Sequence, residues 1–164
     1  MKRLIMLIFF SLITYSFGYQ VEENFTRQIV KKYENGQVQS IENFKNGKLN
    51  GEFKEFYKDG TLAQIGTFKN GDLESIKVFY ENGSLKFEET LKDRKGKYKG
   101  YYPNGQLEEE GEVFQGEETG IWKYYNEEGK LLSEGRYKEG KKIGEWKLFN
   151  PDGSLLKIEN YKEK

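Results

Sequence analysis

Almost all the side chains in this sequence that could do chemistry are carboxylates, lysines and tyrosines. The 164 residues include no His and no Cys, which removes imidazole bases, thiolate nucleophiles, disulfides and the usual zinc ligands together. Carboxylate pairs can run glycoside hydrolysis, and Glu108-Glu109-Glu110 and Glu117-Glu118 are the candidates. Successive residues of a strand point to opposite faces, however, so neighbours in these runs do not converge on one substrate. Charge that keeps strands soluble accounts for them better. No loop carries the alternating Asp/Asn spacing of a calcium site. The sequence therefore predicts no enzyme, no catalytic residue, no metal site and no cofactor.

The remaining chemistry is that of contact surfaces. Lys and Arg number 27 and balance 27 Asp and Glu; without a positive excess to offset phosphate, a nucleic-acid partner is not expected. Twelve Tyr, twelve Phe and nineteen Gly replace the usual Leu/Val-rich interior, a composition suited to hairpins. Rings give contact area at low entropic cost, which makes Tyr101, Tyr102, Tyr124 and Tyr125 the candidate partner-binding aromatics.

The elements that position these rings repeat. Turn glycines at Gly36, Gly60, Gly83, Gly105, Gly129 and Gly153 are spaced by 24, 23, 22, 24 and 24 residues. Two residues after each stands Val38, Leu62, Leu85, Leu107, Leu131 or Leu155, and eight after stands Phe44, Phe68, Leu91, Val113, Tyr137 or Tyr161. Seven before stands Ile29, Phe53, Ile76, Tyr98, Trp122 or Trp146. Asn-Gly or Asp-Gly between strand-like runs signals a hairpin, because both residues tolerate the positive φ of a type I′ turn. A second glycine turn, at Asn46-Gly47, Asn70-Gly71, Gln115-Gly116 and Glu139-Gly140, leads into the next unit. Asp93-Arg94-Lys95 stands where the third unit should have one, which predicts a kink or altered loop there. The fold class is all-β: tandem hairpins in an elongated, twisted antiparallel meander about 55 Å long at the usual strand spacing.

A two-residue first turn would set the residue seven before each anchor opposite the one six after it. Phe53, Tyr98 and Trp122 would then lie over Gly66, Gly111 and Gly135, each ring covering bare backbone. Ile29 and Ile76 would face Glu42 and Glu89. Trp146 opposite Glu159 departs from this pattern, as a terminal cap would. The face carrying these rings is the expected buried side, with Phe56, Phe79, Tyr101, Tyr125 and Phe149 on the other.

The amino terminus has the form of an export signal. Met1-Lys2-Arg3 is positive, Leu4 to Ile13 is nearly unbroken apolar sequence, and Ser16-Phe17-Gly18 offers small residues where signal peptidase cuts. Residues 1–18 are thus expected to be a signal peptide cleaved before Tyr19, residues 19–26 a short linker, and residues 27–164 about six repeats. The apolar run is shorter than the twenty or so residues of a permanent span, so no integral membrane span is expected after cleavage, a retained anchor being the alternative. The expected location is the periplasm, the cell surface or the medium.

The units resemble MORN repeats, in the bacterial variant form of the YwqK-type antitoxin group. Gly120-Ile121-Trp122-Lys123-Tyr124-Tyr125, then Gly129-Lys130-Leu131, then Gly135-Arg136-Tyr137-Lys138-Glu139-Gly140 carry the likeness, which recurs from Gly144-Glu145-Trp146-Lys147 and from Gly51-Glu52-Phe53-Lys54. It implies a β-hairpin repeat protein that mediates association with proteins or membrane surfaces and has no catalytic set. A protein partner is the leading expectation, as scaffold or adhesion module. The alternatives are a cell-wall or glycan binder using Trp122 and Trp146, and an antitoxin-like binder of a partner protein.

Overall fold

A computed structural model describes residues 25–162. The apolar and aromatic residues that alternate between the turn glycines form twelve strands. They are β1 (Thr26–Lys32), β2 (Val38–Lys45), β3 (Lys48–Phe56), β4 (Leu62–Lys69), β5 (Asp72–Phe79), β6 (Leu85–Lys92), β7 (Lys95–Tyr101), β8 (Leu107–Phe114), β9 (Glu117–Tyr125), β10 (Leu131–Lys138), β11 (Lys141–Phe149) and β12 (Leu155–Tyr161). They make one open antiparallel sheet in sequence order, β1 at one edge and β12 at the other. Residues 1–18, expected to be a signal peptide, and most of the expected linker lie outside the described residues. Of residues 19–26, Thr26 already belongs to β1.

The first turn of each unit is not the expected two-residue turn. Gly36 N–H donates to Tyr33 O and Tyr33 N–H to Gln37 O, each at 2.9 Å, closing a loop of Glu34, Asn35 and Gly36. Only the glycine is left-handed, at φ +84°, as in a turn followed by a G1 bulge. Asn35 serves differently: its Oδ1 accepts from Gln37 N–H at 3.1 Å. Asp59, Asn82, Asn104 and Asp152 hold their own turns the same way, and Asn126, two positions earlier at the residue that precedes its loop, accepts from Glu128 and Lys130 N–H. This is the hydrogen-bonding role of Asx residues in turns.

The two-residue turn with both residues at positive φ occurs at the second turns instead, Asn46-Gly47 with φ of 51° and 76° being one example. Asp93-Arg94 adopts it too, with φ of 53° and 63°. Its strands β6 and β7 pair without any register shift, so the third unit has the ordinary turn and not the expected kink.

All six expected cross-strand pairs occur: Ile29–Glu42, Phe53–Gly66, Ile76–Glu89, Tyr98–Gly111, Trp122–Gly135 and Trp146–Glu159. Two differences cancel. The first loop is one residue longer than a type I′ turn, and the strand after it carries one unpaired residue, such as Gln39 between Val38 and Ser40, which restores the register.

Repeat length follows from a second set of bulges. Between Leu49 and Phe53, β3 has two residues more than β2 has between Glu42 and Phe44; β9 and β11 have the same excess against β8 and β10. These bulges sit at Gly51, Gly120 and Gly144, with φ of 96°, 67° and 61°. β5 has one extra residue against β4, and β7 has none. The spacings of 24, 23 and 22 residues are thus a 22-residue hairpin pair plus two, one or no bulge residues.

Candidate functional site

Trp122 and Trp146 are almost fully buried, with Phe53 and Val113 the other buried apolar side chains among the described residues. The glycines beneath these indoles come from the strand before, not from the expected partner. A Cβ at Gly111 would fall inside the Trp122 ring, and one at Gly135 inside the Trp146 ring. Tyr98 therefore does not cover Gly111, Trp122 does not cover Gly135, and Phe53 does not cover Gly66, whose open side faces Ser75 O and Leu73. The bulges shift the ring toward the preceding strand, and Trp146 joins the pattern it was expected to break.

The strand before each indole supplies its acceptor. Trp122 Nε1–H donates to Glu112 O at 2.9 Å, and Trp146 Nε1–H to Arg136 O at 3.2 Å. Around them runs a chain of rings. Tyr98 is centred 5.6 Å from Trp122, Tyr137 lies edge-on to Trp146 at 5.1 Å, and Tyr124 stands between the indoles at 6.3 and 6.1 Å. Lys142 Nζ sits 3.9 Å over the Trp146 ring. As expected, this face is the buried one.

At the other end of the same face, charge occupies the slot. Glu42, paired with Phe53, is 1% exposed and accepts from Lys31 Nζ at 2.7 Å and Ser40 Oγ at 2.9 Å. Glu89, also buried, pairs with Tyr98.

The opposite face carries a row of cross-strand partners. From β3 to β12 it runs Lys54, Ile65, Lys77, Glu88, Lys99, Glu110, Lys123, Glu134, Lys147 and Ile158. From Lys77 to Lys147 the charges alternate strand by strand, with Lys77–Glu88 at 3.5 Å and Lys147–Glu134 at 3.6 Å. Beside the row stand Phe56, Phe79, Tyr101, Tyr125 and Phe149, each half-buried. Tyr101 donates to Glu88 Oε1 and Tyr125 to Glu110 Oε1, each at 2.9 Å. Burial first, then the carboxylate acceptor, pushes both phenols up to about 12.

The four candidate tyrosines are therefore not one site. Tyr101 and Tyr125 belong to the charged face. Tyr124 is in the ring face, its hydroxyl 3.1 Å from that of Tyr137. Tyr102 is a tie at the turn edge: its hydroxyl donates to Tyr125 O at 2.8 Å, as Tyr33 does to Phe56 O, Tyr57 to Phe79 O and Tyr80 to Tyr101 O. These latches join each of the first four units to the next. Units five and six have Asn126 and Asn150 in that position. Tyrosine recurring three residues before four anchors was the available signal for the latches.

A depression of about 370 Å³ near the β1 edge is lined by Arg27, Asn43, Asn50 and neighbours. No helix among the described residues is long and apolar enough to cross a membrane.

A family model described as MORN repeat variant matches residues 30–46, 49–70, 76–93, 94–114, 118–139 and 142–163. Each segment spans one three-residue turn, the strand after it and part or all of the strand before it, and together they cover well over half of the chain. The chain belongs to the MORN repeat variant family. MORN repeats are in general modules for association with proteins or membranes. No curated protein matches this MORN chain. A solved structure of a Bacteroides fragilis protein of unknown function is 10% identical to it, with 84% of this chain and 93% of that one covered, at a TM-score of 0.18.

Proposed function

We propose that this MORN chain is an exported, non-catalytic interaction module of scaffold or adhesion type, whose protein partner docks on the charged face at Tyr101 and Tyr125. The observation that carries this reading is the row of alternating Lys and Glu from Lys77 to Lys147 with one ring per unit beside it. A surface of fixed charge order selects a partner of complementary order and rejects others, while half-buried rings give it an apolar anchor. Trp122 and Trp146 are too buried to serve as a sugar platform, which favours protein over glycan. Export follows from the basic start and apolar run of residues 1–18, and an exported chain would not meet the cytosolic toxin of an antitoxin pair.

In-cell crosslinking of the tagged full-length chain, with mass spectrometry of envelope and medium fractions, tests this. One or a few captured proteins are expected, lost in the Tyr101→Ser/Tyr125→Ser variant and kept in Tyr102→Phe. Recovery of the chain alone on the cell wall would replace the reading with glycan binding. A recovered chain that begins at Met1, and not at Tyr19, would overturn export.

A further inference from the structure

The charged row breaks at both edges of the sheet. The position six residues before the anchor is Lys54, Lys77, Lys99, Lys123 and Lys147 in units two to six, but Val30 in the first. The position five after the anchor is Glu88, Glu110 and Glu134 in units three to five, and isoleucine in the others: Ile41 and Ile65 on interior strands and Ile158 on the edge strand β12. Val30 on β1 is 48% exposed and Ile158 on β12 is 44% exposed. Open edges are ordinarily defended by an inward lysine or another charge. Here the lysine that the repeat places on this row is missing from the edge strand alone. Of the eight exposed large apolar side chains among the described residues, Val30, Leu155, Leu156 and Ile158 lie on the two edge strands, and Phe25 directly precedes β1.

We infer that β12 of one copy pairs with β1 of the next, continuing the meander head to tail between chains. The register is that of β6 and β7, the internal pair of the same kind without a bulge. It sets Ile158 opposite Val30, Glu159 opposite Ile29, Asn160 opposite Gln28 and Tyr161 opposite Arg27. Ile158 and Val30 then join Ile41, already paired with Val30, in an apolar strip. Asn160 faces another amide, and Arg27 meets a tyrosine ring, which favours a cation. Lys157 falls opposite Lys31, but each already has a carboxylate, Glu159 at 2.6 Å and Glu42 at 2.7 Å. The contact joins two different edges, so it is heterologous and builds chains or rings, not closed dimers.

Sedimentation velocity on the full chain over a concentration series tests this, with circular dichroism confirming that each variant keeps its sheet. The wild type is expected to associate with rising concentration. Val30→Lys/Ile158→Lys, which sets like charges opposite each other, is expected to be monomeric, and Val30→Lys/Ile158→Glu, which recreates the Glu110–Lys123 pair, to associate again. Register is read separately: the chain has no cysteine, so oxidised Gln28→Cys/Asn160→Cys should form a ladder of covalent multimers. A monomeric wild type, association that survives the double lysine, or no ladder from the cysteine variant overturns the inference.

Discussion

The ring face solves one problem in two ways at its two ends. In the β8–β11 region the slot between adjacent units holds a glycine with an indole on it, Gly111 under Trp122 and Gly135 under Trp146. In the β2–β3 region the same slot holds Glu42 beside the smaller ring of Phe53, and at β6–β7 it holds Glu89 beside Tyr98. In these four slots a large ring goes with no side chain, and a smaller ring with a long one; at β4–β5 Gly66 faces Ile76 instead, with Leu73 and Phe68 beside it. What fills the slot thus differs from unit to unit. The apolar filling gives a dry cluster; the polar one requires that the buried carboxylate be answered, as Lys31 and Ser40 answer Glu42.

The comparison is broken most severely at Trp122. Trp122→Ala should lower stability by about 3–5 kcal/mol, and Gly111→Ala, which drives a methyl into the ring, by about 1–3 kcal/mol. Converting the slot to the other solution, Gly111→Glu with Trp122→Tyr, should cost less than the two single changes added, with a coupling of about 1–3 kcal/mol. Denaturant titration of the four proteins decides this. Additive losses would mean that the two fillings are not interchangeable.

At the polar end, Glu42→Leu leaves Lys31 and Ser40 without their shared acceptor and should cost about 1–3 kcal/mol. Units of a repeat sheet depend mainly on their neighbours. Hydrogen exchange should therefore rise in β1–β3 and stay unchanged in β9–β11; a loss spread evenly over the sheet would refute that locality.

Much of this was legible in the sequence, for a definite reason. Rings and turn glycines at fixed offsets revealed the strands, their order and all six cross-strand pairs, since register depends on where apolar residues face. The turn chemistry was mistaken and the register still correct, because the longer loop and the bulge after it offset each other. What did not show was which glycine lies under which ring, since that depends on the bulges at Gly120 and Gly144. Their trace was present in the glycine two residues before Trp122 and Trp146 and in the 24-residue spacing. The candidate tyrosines were chosen as adjacent pairs, and adjacency in a strand separates side chains onto opposite faces.

Smaller effects refine the contrast between latched and unlatched units. Tyr57→Phe removes one hydroxyl tie to Phe79 O and should cost about 0.5–1.5 kcal/mol, read as a lowered melting midpoint with unchanged binding on the charged face. The phenols of Tyr101 and Tyr125 act only in strong alkali. Their folded values are raised from 10.0 to about 12, so below pH 10 both states keep the proton and the contribution is whole. Between pH 10 and 12 the unfolded phenols ionise while the folded ones resist, and stability falls as pH rises. Phenolate absorbance followed beside circular dichroism should show these two tyrosines titrating with or after loss of the sheet in wild type. In Glu88→Gln/Glu110→Gln they should titrate earlier.

The bulges give the gene a tolerance that most β-proteins lack. In an ordinary sheet an inserted or deleted codon reverses the facing of every residue up to the next turn. Here a unit of 22, 23 or 24 residues ends with its rings and lysines on the same faces, because any surplus is set aside at one point in a hairpin pair, marked by glycine where it is two residues long. In-frame slippage at that point leaves the pattern intact, and a tandem duplication of a whole unit extends the sheet by two strands without renegotiating its register.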